Sequence, residues 1–423
     1  MSTNNPKLAI NGGTPALTQP LPPMYPGGMR IGAEEEASVL EVLRTKRLFR
    51  YYGPNGGESK VALFEQAFAA QMGARYCAAV SSGTASLMCA LVGLGVGPGD
   101  EVIVPAYTWI ATASAVVALG AVPIIAEVDE SLTLDPADVE KKISPYTRVI
   151  ATVHMRGGVS RMAELKAVAQ KHNLKLLEDV AQAAGASYQG QRLGSIGDVG
   201  AFSLQFNKII TSGEGGVVIT SDSKIHDRIL MYNDVVGGQR NQIPPEEILP
   251  GINFRMGELP GAVALVQLQR LDGLLATMRQ NKATLVESMA DVARQKGVTL
   301  RDNPDPKGEA AISLIFFAPS AEQADYVKNA LRAEGVGTSV LYHPDRSDYH
   351  IYRHWAPIMH KRTWSERGGP WRYHEREVNY EPDMCPRSLD LLGRAVHLDV
   401  SPELSGAQVE EVAEALNKVL NSL

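Results

Sequence analysis

The sequence predicts an α/β protein: a mainly parallel sheet between helices in a large domain, then a smaller α+β C-terminal domain. Three observations lead there. Between residues 76 and 220, strand-sized apolar runs alternate with helix-sized ones, the pattern of parallel strands joined by helical crossovers. At 423 residues the chain exceeds one ordinary core, so two lobes are expected. Past residue 275 the alternation gives way to helices with short strands.

Taken in order, residues 76–80 form a short apolar strand, and Ser81-Ser82-Gly83-Thr84 turns into an apolar helix reaching residue 94. Gly97-Pro98-Gly99-Asp100 is a turn before a strand at 101–104. The stretch 106–126 is almost uncharged and about long enough to span a bilayer. Gly120 and Pro123 interrupt it, however, and Asp100, Glu101 and Glu127 flank it with no basic partner to set an orientation. A helix at 108–119 followed by a buried strand at 122–126 accounts for it instead. Asp135-Pro136 opens the next helix, with Asp as N-cap and Pro at the first helical position. A strand at 148–153, a helix at 161–172 and a strand at 175–177 follow, the last delivering Glu178 and Asp179. Strands at 199–204 and 217–220 complete the run. Leu259, Val263, Leu265, Val266, Leu268 and Leu271 have helical spacing, which predicts a helix over 259–275 linking the domains. A last helix covers 406–420. The chain thus divides into a large domain, 1–258, with an N-terminal extension at 1–30, and a small domain, 259–423. Within the latter, 342–386 is crowded with His, Tyr, Trp, Arg and Pro and has no period. It predicts a long loop excursion, of the kind that forms lids and substrate walls.

A formal net charge of -6 gives no support for nucleic-acid binding. The three cysteines, Cys77, Cys89 and Cys385, have no metal spacing, and an odd count argues for reduced thiols in the cytoplasm rather than a disulfide framework. The histidines of 342–374 lack zinc-site spacing, so no metal is expected. The N-terminus has no basic segment followed by an apolar one, so no secretory signal and no membrane association are expected.

The chemistry centres on Lys208, in Phe202-Ser203-Leu204-Gln205-Phe206-Asn207-Lys208, with Gly213-Glu214-Gly215-Gly216 after it and Glu178-Asp179-Val180-Ala181-Gln182 before it. A lysine between two β segments, with an acid at an earlier strand end, is the layout that pyridoxal phosphate needs. The amine forms a Schiff base with the aldehyde, and the aspartate pairs with the pyridinium nitrogen. An isolated lysine at a strand end is ordinarily a surface residue, and Asp179 alone reads equally well as a turn cap; it is their combination that points to the cofactor. Gln182 would contact the ring hydroxyl. The turn Ser81-Ser82-Gly83-Thr84 offers backbone N–H groups at a helix N-terminus to an anion, though a simple N-cap would look the same, and Ser203 adds a hydroxyl. Trp109 either lies flat on the ring or packs in the core. His154, at a strand end, either lines the site or is a satisfied structural histidine.

At these residues the chain resembles the DegT/DnrJ/EryC1/StrS family of pyridoxal-phosphate-dependent sugar aminotransferases. The resemblance runs from about residue 31 to 271 and rests on Ser82-Gly83-Thr84, Gly99-Asp100-Glu101-Val102-Ile103-Val104-Pro105, Glu178-Asp179 with Ala181-Gln182, and Ser203 with Lys208 and Gly213-Glu214-Gly215-Gly216. It implies a fold-type I homodimer with shared active sites. In it Lys208 is the Schiff-base lysine, Asp179 and Gln182 contact the ring, Trp109 stacks on it, Gly83, Thr84 and Ser203 hold the phosphate, and Asn253 reaches the neighbouring subunit's phosphate. Family members that dehydrate sugars carry histidine in place of the lysine, so Lys208 argues for transamination. The N-terminal Leu8-Ala9-Ile10-Asn11-Gly12-Gly13-Thr14-Pro15 is similar to the branch acting on keto-cyclitols such as scyllo-inosose. His350-Ile351-Tyr352-Arg353-His354-Trp355 is closer to the branch that aminates an 8-oxo-octulosonate. The family's usual Tyr-Pro-x-Pro-Leu-His segment is replaced by Tyr342-His343-Pro344-Asp345. His154 and His343 are the candidates for touching the substrate.

The expectation is therefore a ping-pong aminotransferase. Glutamate or glutamine gives its amine to the cofactor, and a keto (or aldehyde) sugar or cyclitol receives it. The rivals are a dehydratase or epimerase of the same family and a cofactor-binding regulatory protein. The intact set of Lys208, Asp179 and Gln182, and the lack of a DNA-binding appendage, weigh against the last.

Overall fold

A computed structural model describes residues 7–55 and 57–423. Seven strands form the central sheet: β1 (Tyr76–Val80), β2 (Glu101–Pro105), β3 (Val122–Ala126), β4 (Thr147–Val153), β5 (Lys175–Asp179), β6 (Val199–Ser203) and β7 (Gly216–Thr220). Their order is β1-β7-β6-β5-β4-β2-β3. All run parallel except β7, which is antiparallel to both its neighbours. Strands β2, β3, β6 and β7 are buried at every position. That is why they read as continuous apolar runs rather than alternating ones: both sheet faces are covered.

The helices longer than a single turn are α1 (Ala33–Thr45), α2 (Lys60–Met72), α3 (Gly83–Gly93), α4 (Ala111–Ala118), α5 (Pro136–Lys142), α6 (Met162–Lys171), α7 (Ser223–Asn233), α8 (Glu258–Gln295), α9 (Ala321–Ala333), α10 (Pro386–Arg394) and α11 (Gly406–Asn421). Their starts follow local chemistry. The side chains of Ser59, Ser82, Asp135, Asp222, Ser320 and Ser405 each accept an amide hydrogen from the first turn of the helix they precede.

Two elements differ from expectation. Helix α4 begins at Ala111, not near 108, because the amides of Thr108 and Ile110 donate instead to the carbonyls of His350 (2.9 Å) and Tyr349 (3.0 Å). Helix α8 does not stop at 275. It runs for 38 residues, about 57 Å. Its first half buries Leu268, Leu271, Leu275 and Met278 against one face of the large sheet. Its second half buries Leu285, Met289 and Val292 in a second, separate core. That core covers an antiparallel sheet of β8 (Thr299–Leu300), β9 (Ser313–Phe317), β10 (Thr338–Val340) and β11 (Ala395–Asp399), in the order β8-β9-β11-β10.

The excursion 342–386 has only short helical turns, but it is not a loose flap. Ile351, Tyr352, Trp355 and Cys385 are fully buried in the core that also holds Val102 and Val104 of β2. The Tyr380 hydroxyl donates to the Pro123 carbonyl at 2.7 Å. Buried Glu101 accepts from His374 (2.9 Å) and Arg376 (2.7 Å). Large aromatic anchors, rather than a periodic face, fix this segment. Among the described residues no helix is long and apolar enough to cross a membrane, and none of their His, Cys, Asp and Glu side chains gather in threes to hold a metal ion.

Candidate active site

A cavity of about 580 Å³ opens at the C-terminal ends of β4, β5 and β6 and the start of α3, where ligands of such sheets collect. Gly83, Thr84, Trp109, Asp179, Gln182, Ser203 and Lys208 all line it. Asn253, His154 and His343 do not.

Strand β5 places its two terminal acids on opposite faces, as successive strand residues must be. Asp179 faces the cavity. Its Oδ1 accepts from the Ala181 amide (3.1 Å) and its Oδ2 from the Thr112 hydroxyl (2.9 Å). With its own hydrogen given to Asp179, Thr112 accepts from the Thr108 hydroxyl, 2.9 Å away. Burial pushes the Asp179 carboxyl up from its ordinary value, against these hydrogen bonds and the positive charge of Lys208. Glu178 faces away and is spent on structure. It accepts from the amides of Gly194 (2.8 Å), Ile196 (2.8 Å) and Gly197 (2.7 Å).

His154 belongs with Glu178. The amide of Ser160 donates to His154 Nδ1 (3.2 Å), which makes Nε2 the protonated nitrogen, donating to Glu178 at 3.2 Å. The ring is fully buried. Of the two readings open in the sequence, the geometry is that of the structural histidine. His343 lies on the exposed part of the excursion, where its Nδ1 accepts from the Asp345 amide at 3.2 Å. Asn253 is exposed, its side chain accepting from the Arg255 amide at 3.3 Å.

Lys208 sits on the loop between β6 and β7. Its amide donates to the Gln205 carbonyl (2.9 Å), and its carbonyl accepts from Gly27 (3.3 Å). Burial lowers its amine below the ordinary lysine value, against the attraction of Asp179. Lys208 and Asp179 thus feel each other across the cavity without forming an ion pair.

The residues present fit pyridoxal phosphate. Ser82 caps α3 through its side chain, which leaves the first N–H groups of that helix, those of Gly83 and Thr84, to an anion. Ser203 is packed against this turn so closely that a Cβ on Gly83 would lie 2.7 Å from the Ser203 Cβ. A Cβ on Gly216 would lie 2.3 Å from the Ser82 carbonyl oxygen, so the glycine run after Lys208 is what lets β7 approach the phosphate turn. The Gln182 amide oxygen accepts from the Arg156 amide at 2.9 Å, so its NH2 is the half left to donate to a ring hydroxyl. Trp109 is 48% exposed on the cavity wall, an uncovered aromatic face where a flat ring would lie.

Other lining residues are ones to which the sequence assigns no site role: Met24, Tyr25, Pro26, Thr112, Arg156, Glu214, Ile312, His350 and Asp399. His350 arrives by a strand-like pairing of 349–352 with 106–110, in which Tyr107 and Ile351 are bridge partners. This sets its ring 5.0 Å from that of Trp109. Asp348 then binds His350 Nδ1 at 2.8 Å; burial acts to raise the Asp348 carboxyl, but the hydrogen bonds from His350 hold it at about 2.

The model of the DegT/DnrJ/EryC1/StrS aminotransferase family matches residues 29–365. The chain is similar to the L-glutamine:2-deoxy-scyllo-inosose aminotransferase of Streptoalloteichus tenebrarius, 37% identical over 393 residues and covering 87% of this chain and 88% of that one. Among solved structures, 3-amino-5-hydroxybenzoic acid synthase superposes with a TM-score of 0.79 at 25% identity, covering 96% of this chain and 100% of that one. DesI, solved in the presence of its TDP-sugar product, superposes with a TM-score of 0.76 at 27% identity, covering 98% and 96%.

Proposed function

Because the chain belongs to the DegT/DnrJ/EryC1/StrS aminotransferase family, we propose that it carries an amino group from glutamine to a keto-cyclitol of the inosose class. It is an aminotransferase that depends on pyridoxal phosphate, and its fold is that of fold-type I aminotransferases. The observation that carries the reading is one cavity holding the Asp179 carboxyl, at the end of β5, and the Lys208 amine, on the loop after β6, with no ion pair between them. The donor and acceptor come from relatives named for glutamine and 2-deoxy-scyllo-inosose that match over most of their length.

When bound, pyridoxal phosphate supplies an aldehyde that takes up the amino group and a ring that accepts electrons. Lys208 would hold it through its amine, Asp179 at the ring nitrogen, and Gln182 at the ring hydroxyl. Gly83, Thr84 and Ser203 would hold the phosphate, with Asn253 serving the phosphate of a neighbouring subunit. Trp109 would lie against the ring. Once the substrate's amine has taken the place of Lys208, the Lys208 Nζ is free to accept the proton leaving the substrate carbon and to return it. A lysine whose ammonium form is disfavoured by burial is suited to that work. Leu87, Val153, Ile209 and Ile312 give the cavity apolar walls that limit water. The same reading makes the protein a cytoplasmic homodimer with shared sites, divided near residue 258 into a cofactor domain and a domain that closes the substrate side.

The test is a pair of half-reactions. The cofactor-loaded enzyme is mixed with glutamine, and the aldehyde absorbance and the donor's 2-oxo acid are followed. The amine-loaded form is then offered 2-deoxy-scyllo-inosose, other keto-cyclitols and keto-sugars. Return of the absorbance with an inosose, and release of the 2-oxo acid, are expected. Consumption of a sugar without 2-oxo acid release would instead mark a dehydratase or epimerase.

A further inference from the structure

We infer that Arg156 is the carboxylate anchor of the amino donor: its guanidinium binds the α-carboxylate beside the carbon that loses its amine. This rests on the aminotransfer reading above and names the group that recognises the donor.

The backbone comes first. Arg156 has φ 52 and ψ 39, the left-handed region that an arginine adopts only at a cost. It is held there from several sides. Its amide donates to Gln182 Oε1 (2.9 Å) and its carbonyl accepts from the Ser313 hydroxyl (3.0 Å). The carbonyl of the next residue, Gly157, accepts from the Ala310 amide (2.9 Å). That of the preceding one, Met155, accepts from Arg301 (3.0 Å). The small domain thus clamps this turn, and the clamp directs the side chain into the cavity, which Arg156 lines. The same turn orients Gln182, so donor recognition and cofactor contact share one support.

The guanidinium is left without an acid. Its one side-chain hydrogen bond among the described residues is from Nε to the Tyr107 hydroxyl, at 3.4 Å. The terminal nitrogens, with four N–H groups, have no partner there. Asp348 and Asp399 are near enough to feel its charge, but neither forms an ion pair with it. Asp348 is committed to His350 at 2.8 Å, and Asp399 lies 3.4 Å from His397. Arg161, five residues on, shows the ordinary case, since it bonds both Asp129 (2.5 Å) and Asp302. A half-buried cation lining a reaction cavity without an ion-pair partner is set to receive one from the ligand. Of the two substrates, the amino acid brings a carboxylate on the reacting carbon itself, whereas an inosose is neutral. The planar fork of arginine suits a bidentate carboxylate.

The experiment uses the full-length, cofactor-loaded enzyme and its Arg156→Lys and Arg156→Gln variants, with cofactor content and thermal unfolding confirming that each is folded and loaded. The donor half-reaction is run with glutamine and with glutamine α-amide, which keeps the amine and the reacting C–H but has no carboxylate. Wild type should favour glutamine by about 10- to 100-fold in kcat/KM. Arg156→Gln should lose most of that preference through the glutamine arm, and Arg156→Lys should keep part of it. Calorimetric binding of 4-carbamoylbutyrate, which is glutamine without its amino group, should weaken in parallel. The acceptor half-reaction with neutral 2-deoxy-scyllo-inosose should lose less than the glutamine arm does. A preference that survives in Arg156→Gln overturns the inference. So does an equal loss with the neutral acceptor, which would make Arg156 only a support for Gln182. So does a loss confined to an acidic keto-sugar, which would assign the carboxylate to the acceptor. If wild type itself shows no half-reaction with any amino acid, it is the aminotransfer reading that fails.

Discussion

The two walls of the cavity are built in different ways. The cofactor wall comes from the sheet: Asp179 ends β5, Ser203 ends β6, Gly83 and Thr84 start α3, and Lys208 follows within a short loop. Each is fixed by its own strand–turn–helix neighbourhood. The wall proposed to face the substrate comes from Met24–Pro26, Arg156, Ile312, His350 and Asp399, segments far apart in the chain. The first wall is held by contacts close in sequence to the sheet strands, and the second by contacts between distant segments. In this chain the residues proposed to hold the cofactor are placed by local structure, and those proposed to face the substrate by tertiary contacts.

The sharpest way to break that contrast is at the reactive amine. Lys208→Ala should reduce turnover by about 10³-fold or more and abolish the visible absorbance of the covalently held cofactor. Retained absorbance and turnover would move the chemistry off the cofactor wall altogether. Asp179→Asn comes next. It keeps the shape and removes the charge opposite the ring nitrogen, for an expected loss of about 10²-fold in kcat. In the cofactor-free protein the same change removes the attraction that opposes burial at Lys208, so the lysine should titrate at lower pH than in wild type. A titration of its amine by chemical trapping checks the sign.

The difference between the walls also sets what could be read from sequence. The strand ends, the Asp135 cap and the cluster of Asp179, Gln182, Ser203 and Lys208 follow from period and turn chemistry within a few residues. His154 and Arg156 sat in the same short segment, and residue type favoured the histidine. The strand register turns His154 to the Glu178 side, while the left-handed turn at Arg156 sends the arginine inward. The pair Gly157-Gly158 was the available sign that the chain turns sharply there. His350 and Asp399 had no local sign, because their positions depend on pairing with residues 106–110 and on the small sheet. The length of α8 was missed because its apolar stripe changes partners midway, from one core to the other.

Adjacent acids sharpen the comparison on a single strand. Glu178 serves only structure, so Glu178→Gln should act on stability rather than on chemistry. An amide there turns an NH2 toward amides that already point at the site, leaving buried N–H groups of Gly194, Ile196 or Gly197 unpaired. A loss of about 3 kcal/mol is expected, with the chemical step in the surviving folded enzyme nearly unchanged. Denaturant unfolding and single-turnover kinetics separate the two. A selective loss of the chemical step would mean that Glu178, like its neighbour, works on the cavity side.

The smallest effect tests how finely the cofactor wall is tuned. Thr112→Val keeps the shape of α4 and removes the hydroxyl that donates to Asp179 Oδ2 at 2.9 Å. Burial already raises the Asp179 carboxyl, and this hydrogen bond is one of the effects holding it down. Its removal stabilises the protonated form, so the pKa rises further. The ionised carboxylate is the form that pairs with a protonated ring nitrogen. Activity is therefore lost as pH falls through the Asp179 pKa, and in the variant that loss must begin at higher pH. A hydrogen bond to a charged group contributes about 1.5 kcal/mol, which corresponds to about one pH unit. The acid limb of the kcat profile should move up by about that much, while the plateau and the alkaline limb stay in place. An acid limb that does not move would show that Asp179 is not the group whose protonation limits the reaction.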